Sequence, residues 1–132
     1  MTLEYSNATR HAQNEGLITY AGSSALFNLY SGTQPANANT ALTTQVLLVS
    51  MPIAGAFGTD VNGTLTLGSV VASDAAASGT ASFFRIFKSD GTSVIMDGSV
   101  GLSAADLILN TVDIAAGQSV DITAGTIIRG NQ

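Results

Sequence analysis

Residues 79–101 read GTASFFRIFKSDGTSVIMDGSVG, and the Asp90-Gly91 pair near their centre is the feature that most restricts the fold. Glycine accepts positive φ without steric cost, so an Asp-Gly pair between runs of β-branched and aromatic residues marks a hairpin turn. The flanking runs, residues 82–88 and 93–97, are then antiparallel strands. Alternation along the first run sends Phe83 and Phe87 to one face and Phe84 and Ile86 to the other. A strand that is apolar on both faces is a central strand, or one whose second face meets another chain.

The chain around this hairpin reads as β from residue 25 onward. Residues 25–31 alternate and stop at Gly32 and Pro35, residues 37–44 form a polar loop, and residues 46–51 are a short apolar run ended by Pro52. A connection follows with a turn at Asn62-Gly63, and residues 64–72 then point threonines outward with Leu65 and Leu67 inward. After the hairpin come a short strand over 105–109, a turn at 115–118 and a closing strand over 119–128 with a bulge or bend at Ala124-Gly125. Roughly seven strands at spacings of about ten residues predict an all-β fold, an antiparallel β-sandwich or jelly-roll-like domain over residues 25–132. Its expected core is Leu26, Leu29, Val46, Leu48, Leu65, Leu67, Val70, Phe84, Ile86, Val94, Leu107, Ile122 and Ile127.

Residues 1–24 stand apart from this pattern. Ser6 or Asn7 caps a helix running to about Ala21 and ended by Gly22, or the segment is an extended arm that orders against a neighbour.

Composition removes several classes of function. Only 10% of residues are charged, against about a quarter in a typical globular chain, which points to assembly or to a sandwich whose outer faces are solvated by Ser and Thr. With a net charge of −5 and Arg10, Arg85, Lys88 and Arg129 as the only fixed cations, there is no basic patch for nucleic acid. Absence of cysteine removes disulfides, thiolate metal sites and cysteine nucleophiles. No apolar run approaches the roughly 18 residues of a membrane helix, and the start lacks a signal-peptide pattern, so a soluble chain made in a cytoplasm is expected.

His11 is the sole imidazole, so a Ser-His-Asp triad would have to be built in the weakest-patterned segment, and a surface or interface histidine is the expectation. The aspartates fall in turns and at strand ends, where local backbone hydrogen bonds favour them. Asp60-Val61-Asn62-Gly63-Thr64 lacks the third early ligand of a calcium loop and has Val71 where the closing Glu would stand. No catalytic residue, cofactor or metal is expected.

Three blocks carry a resemblance. The first runs from Ser6-Asn7-Ala8-Thr9-Arg10 to Leu29-Tyr30-Ser31-Gly32-Thr33-Gln34-Pro35-Ala36. The second holds Gly79-Thr80-Ala81, Phe84-Arg85-Ile86 and Lys88-Ser89-Asp90-Gly91-Thr92 through Asp97-Gly98-Ser99-Val100-Gly101. The third joins Ala105-Asp106-Leu107-Ile108-Leu109-Asn110 to Ala116-Gly117-Gln118. Together they resemble a family of small structural proteins encoded by tailed bacteriophages. The resemblance implies a virion protein on the capsid surface, a decoration or cement (minor capsid) protein that bridges subunits of the major capsid protein. It also implies a homo-oligomer, dimer or trimer, made in the host bacterial cytoplasm.

On that reading the N-terminal segment and the central strand supply contacts to sister copies or capsid, with Tyr5, Arg10, His11, Tyr20, Phe83 and Phe87 as interface candidates. The alternatives are a phage tail or head-tail component, and a glycan-binding sandwich whose platforms would be Tyr20, Tyr30 or Phe57.

Overall fold

In the computed structural model, which describes residues 4–109, 111–122 and 126–128, the chain opens with α1 (Asn7–Ala21). Ser6 lies in extended backbone ahead of it, and its hydroxyl oxygen accepts the Thr9 N–H at 3.1 Å, satisfying a donor that the first turn leaves unpaired. At the far end Gly22 takes φ 70° and donates its N–H to the Ile18 carbonyl. Of the two forms expected for this segment, the helix is therefore the one present. Its apolar contacts with the core, from Leu17, Ile18 and Ala21, all lie in its C-terminal half.

The strands are β1 (Leu26–Ser31), β2 (Val46–Pro52), β3 (Gly58–Val61), β4 (Thr64–Leu67), β5 (Ser73–Asp74), β6 (Gly79–Thr80), β7 (Phe83–Phe87), β8 (Val94–Gly101), β9 (Leu107–Ile108), β10 (Asp113–Ile114), β11 (Ser119–Val120) and β12 (Thr126–Ile128). Five of them form the largest sheet, in the order β2-β1-β7-β8-β9, antiparallel throughout except for the β8–β9 pair. A three-stranded antiparallel sheet has the order β12-β4-β3, and β10–β6 and β11–β5 are two-stranded ribbons. The described chain is thus mostly β, with antiparallel sheets and one short helix.

The hairpin forms as expected. Gly91 takes φ 73°, and Asp90 Oδ1 accepts the N–H groups of Thr92 and Ser93, each at 2.8 Å. Phe84 and Ile86 enter the main core while Phe83 and Phe87 join a second cluster with Tyr30. That second face is closed by the chain itself. Leu42 from the strap over residues 32–45 packs on the cluster beside Leu26 and Val94, and the Asn37 carbonyl accepts from Arg85 Nη2 at 3.5 Å. Phe83 is consequently 0% exposed.

Two irregularities let neighbouring residues serve one side. Leu29 pairs with Val49 and Tyr30 with Leu47, so Leu48 is an inserted residue; both Leu48 and Val49 then enter the main core. In β8, Ile95 is skipped in the same way, and Ile95 and Met96 pack against that core together.

Several boundaries differ from the sequence reading. The strand expected over 64–72 ends at Leu67, because beyond it the chain changes partner: the Ser69 carbonyl accepts from the Ala54 N–H and the Val71 N–H donates to the Pro52 carbonyl. The closing strand expected over 119–128 is two strands, β11 and β12, which pair with different partners; Ala124-Gly125 lies outside the described residues.

Of the expected core, Leu29, Leu48, Leu65, Phe84, Ile86 and Ile122 are buried, while Leu26, Leu67, Val70, Val94 and Leu107 are partly buried. Val46 is a correction: it starts an edge strand ahead of the Leu48 bulge and is 47% exposed. The Ile127 side chain lies outside the described ones. Phe27, Met51, Ile53 and Phe57 are buried core residues that the alternation did not single out.

Candidate functional site

The β3–β4 hairpin turns through Asn62 (φ 53°) and Gly63 (φ 85°), two consecutive left-handed residues joining Val61 to its partner Thr64. This is the tight turn that an Asn-Gly pair favours. Gly63 is required for a second reason: a Cβ there would stand 2.8 Å from Cβ of Arg10, which packs over the turn from α1. The guanidinium of Arg10 also donates to Asn7 Oδ1 one helical turn back.

One turn further along α1, the buried carboxylate of Asp60 gathers three donors. His11 Nδ1 lies 2.5 Å from Oδ2, Asn14 Nδ2 donates to Oδ1, and the Gly63 N–H donates to Oδ2 at 3.3 Å. Burial works against the charged form of Asp60. The Asn14 amide, His11 and the Gly63 N–H outweigh it and hold the carboxyl below its ordinary value. Asn14 is itself wholly buried, whereas His11 remains half-exposed.

An open cleft of about 490 Å³ runs beside this clasp, lined by Asn7, Ala8, His11, Asp60, Val61 and Asn62. Chemically the arrangement orients an imidazole against a buried carboxylate and docks the polar half of α1 onto the hairpin. Among the described residues no group of three or more His, Cys, Asp or Glu side chains is placed to hold a metal ion.

The interface candidates do not converge. Arg10 and His11 meet at the β3–β4 turn, and Tyr5 is partly buried just ahead of the Ser6 cap. Tyr20 is 53% exposed and carries Lys88 Nζ over its ring at 4.3 Å from the centroid. Phe83 and Phe87 sit inside the fold beneath the strap, with Phe83 stacked on Tyr30 at 5.2 Å between ring centroids. Two of the proposed glycan platforms, Tyr30 and Phe57, are corrected in the same way: both are buried, at 6% and 0% exposure.

Asp60 and Asn14 were not singled out by sequence reasoning as partners of His11. The local signal in Asp60-Val61-Asn62-Gly63-Thr64 announces a turn, and the Asp60–Gly63 hydrogen bond fulfils it. Nothing local announces a helix that lies 49 residues away. The chain matches no family model, no curated protein and no solved structure.

Proposed function

We propose that this chain is a non-enzymatic virion structural protein of a tailed bacteriophage, one that decorates the capsid and stabilises it by bridging major capsid protein subunits. The observation that carries the reading is the position of the resembling residues between Phe84 and Asp106, which build frame rather than cleft. Lys88-Ser89-Asp90-Gly91-Thr92 is the hairpin turn clamped by Asp90. Arg85 and Asp97 form a buried ion pair, and Gly98 leaves the space that the Phe84 ring fills. Asp106 Oδ2 accepts the Ser99 N–H at 2.9 Å and returns its own N–H to Ser99 Oγ at 3.0 Å. These motifs specify a rigid scaffold, which is what a shell-bridging spacer supplies.

Two further features support the reading. Side chains from the five-stranded sheet (Phe27, Leu29, Phe84, Ile86) and from the three-stranded sheet (Leu65) share one core, as the two layers of a β-sandwich would. Every cation among the described residues is engaged inside the chain: Arg10 on the β3–β4 turn, Arg85 with Asp97, and Lys88 on Tyr20. Its outer contacts are then left to uncharged, apolar and acidic groups. Individually weak contacts of that kind hold firmly when repeated over a lattice.

The test is the copy number of this chain relative to the major capsid protein in purified virions, by quantitative mass spectrometry. Near parity supports shell decoration. A small fraction of parity moves the protein to the tail or neck, and absence from the particle overturns the virion reading.

A further inference from the structure

Asn62-Gly63 is the one Asn-Gly pair in the chain, and such a pair carries its own reagents. The Gly63 amide nitrogen, unhindered because its residue has no side chain, can attack Cγ of Asn62. A bond forms from that nitrogen to Cγ, the Gly63 N–H gives up its proton, and the Cγ–Nδ2 bond breaks so that Nδ2 leaves as ammonia. Water then opens the succinimide ring at either carbonyl, leaving aspartate or isoaspartate at residue 62. Water is the only co-reactant.

Two Asp-Gly pairs could close the same ring with loss of water, and the fold disfavours both. The Asp90 carboxyl is lowered to about 2 and stays ionised, and a carboxylate is a poor electrophile. Asp97 is fixed through both oxygens by Arg85, and Gly98 is held in the β7–β8 pairing. Asn62 is different. It is exposed at the open cleft, and no hydrogen bond holds its side-chain amide among the described residues.

What restrains Asn62 is its backbone. At φ 53° it lies in the left-handed region, where ψ is about +30 to +60° and the Gly63 nitrogen points away from the Asn62 side chain. Ring closure needs that nitrogen on the side of Cβ, so the peptide plane between residues 62 and 63 must rotate. Two contacts resist the rotation. Asp60 Oδ2 holds the Gly63 N–H at 3.3 Å, and Arg10 covers the buried Gly63 so closely that a Cβ there would stand 2.8 Å from Cβ of Arg10. Asp60 is also the group through which His11 and Asn14 fasten α1 to this hairpin.

We infer that Asn62 is a site of spontaneous deamidation, locked while α1 is docked on the β3–β4 hairpin and released when the Asp60 clasp opens. Conversion then makes the opening one-way. Isoaspartate adds a methylene to the backbone of a two-residue turn, and either product sets a new carboxylate in the cleft that Asp60 also lines, where like charges repel.

The test incubates the intact chain in mildly alkaline buffer and follows residue 62 by peptide mapping that separates asparagine, aspartate and isoaspartate. Ring closure is slow beside opening and closing, so its rate follows the open population. Folded wild type is expected to convert at least about tenfold more slowly than the same chain in urea. Asp60→Ala and His11→Ala, checked as folded by amide protection in β1, β7 and β8, are each expected to convert faster than folded wild type. His11→Ala keeps Asp60 and its bond to Gly63, and so covers the case in which Asp60→Ala does not fold. Converted wild type is expected to exchange amides faster over residues 7–14 than unconverted protein. Equal rates for folded and unfolded wild type, or for wild type and both variants, overturn the lock. A slower rate in Asp60→Ala also overturns it, by making that carboxylate the base of the reaction. Unchanged exchange after conversion refutes the one-way step.

Discussion

Arg85 and Asp97 are cross-strand partners on β7 and β8, joined by two parallel hydrogen bonds, Nε to Oδ1 at 2.6 Å and Nη2 to Oδ2 at 2.8 Å, with both side chains almost wholly buried. Asn28 on β1 is paired in turn with Arg85, so one polar row crosses three strands beneath the strap. Replacing one member of a buried pair leaves the other charge without a partner, which typically costs about 3 kcal/mol or more. Arg85→Ala and Asp97→Ala are each expected to lose that much in urea unfolding. Arg85→Met combined with Asp97→Leu is expected to lose much less than the two single losses added together. Strict additivity would mean the two groups do not depend on each other.

Gly98 sits across from Phe84, whose ring occupies the place where a side chain at residue 98 would begin. The ring has little freedom to move aside, being stacked on Phe27 with centroids 4.8 Å apart and nearly buried. Gly98→Ala is therefore expected to destabilise by about 1–3 kcal/mol through overpacking. Adding Phe84→Leu should return part of the melting temperature. A Gly98→Ala protein as stable as wild type would show that the ring yields freely.

Asp60 holds the part of α1 that has no apolar anchor. Asp60→Ala is expected to raise amide exchange in residues 7–14 while leaving β1, β7 and β8 protected, as a local opening rather than a global one. Hydrogen exchange read by mass spectrometry separates the two. Uniformly faster exchange in every segment would mean the clasp stabilises the whole fold instead of one end of a helix.

Two carboxyls are more acidic in the folded chain than they ordinarily are. Asp90 is lowered to about 2, chiefly by the Ser93 hydroxyl and then by the N–H groups of Ser93 and Thr92. Burial is the largest single influence on Asp60 and opposes its charge, but Asn14, His11 and Gly63 together outweigh it and lower the carboxyl. A group whose folded value is depressed adds stability above its unfolded value and loses that contribution as pH falls through the folded one. Urea midpoints should thus be insensitive to these groups above about pH 4 and fall below it, with the Asp90 share disappearing only near pH 2. Asp90→Asn and Asp60→Asn should each flatten the acid limb. An acid limb of unchanged slope in both variants would exclude these carboxyls as its source.

What could be read from the sequence was whatever local chemistry decides. Ser6 and Gly22 delimit α1, Asp90-Gly91 and Asn62-Gly63 make their hairpins, and alternation assigns the four apolar side chains of β7 to their two faces. The failures come where partners are distant. The strap could not be seen closing over Phe83 and Phe87, because Leu42 and Asn37 lie in a stretch that reads only as a polar loop. The bulge at Leu48 hid the exposure of Val46, since a run of six apolar or small residues gives no sign of where register slips. The clasp on Asp60 depends on a helix and a hairpin that meet only after folding.

The strap has a closed neck. Gln45 Nε2 donates to the Thr33 carbonyl at 2.6 Å, so the chain leaves and rejoins the sheet at nearly one point. Once ends are held together, lengthening the loop between them has little thermodynamic leverage, about 0.6 kcal/mol per doubling. A foreign peptide spliced in at the exposed Ala41 is therefore expected to ride on the sheet without altering its register.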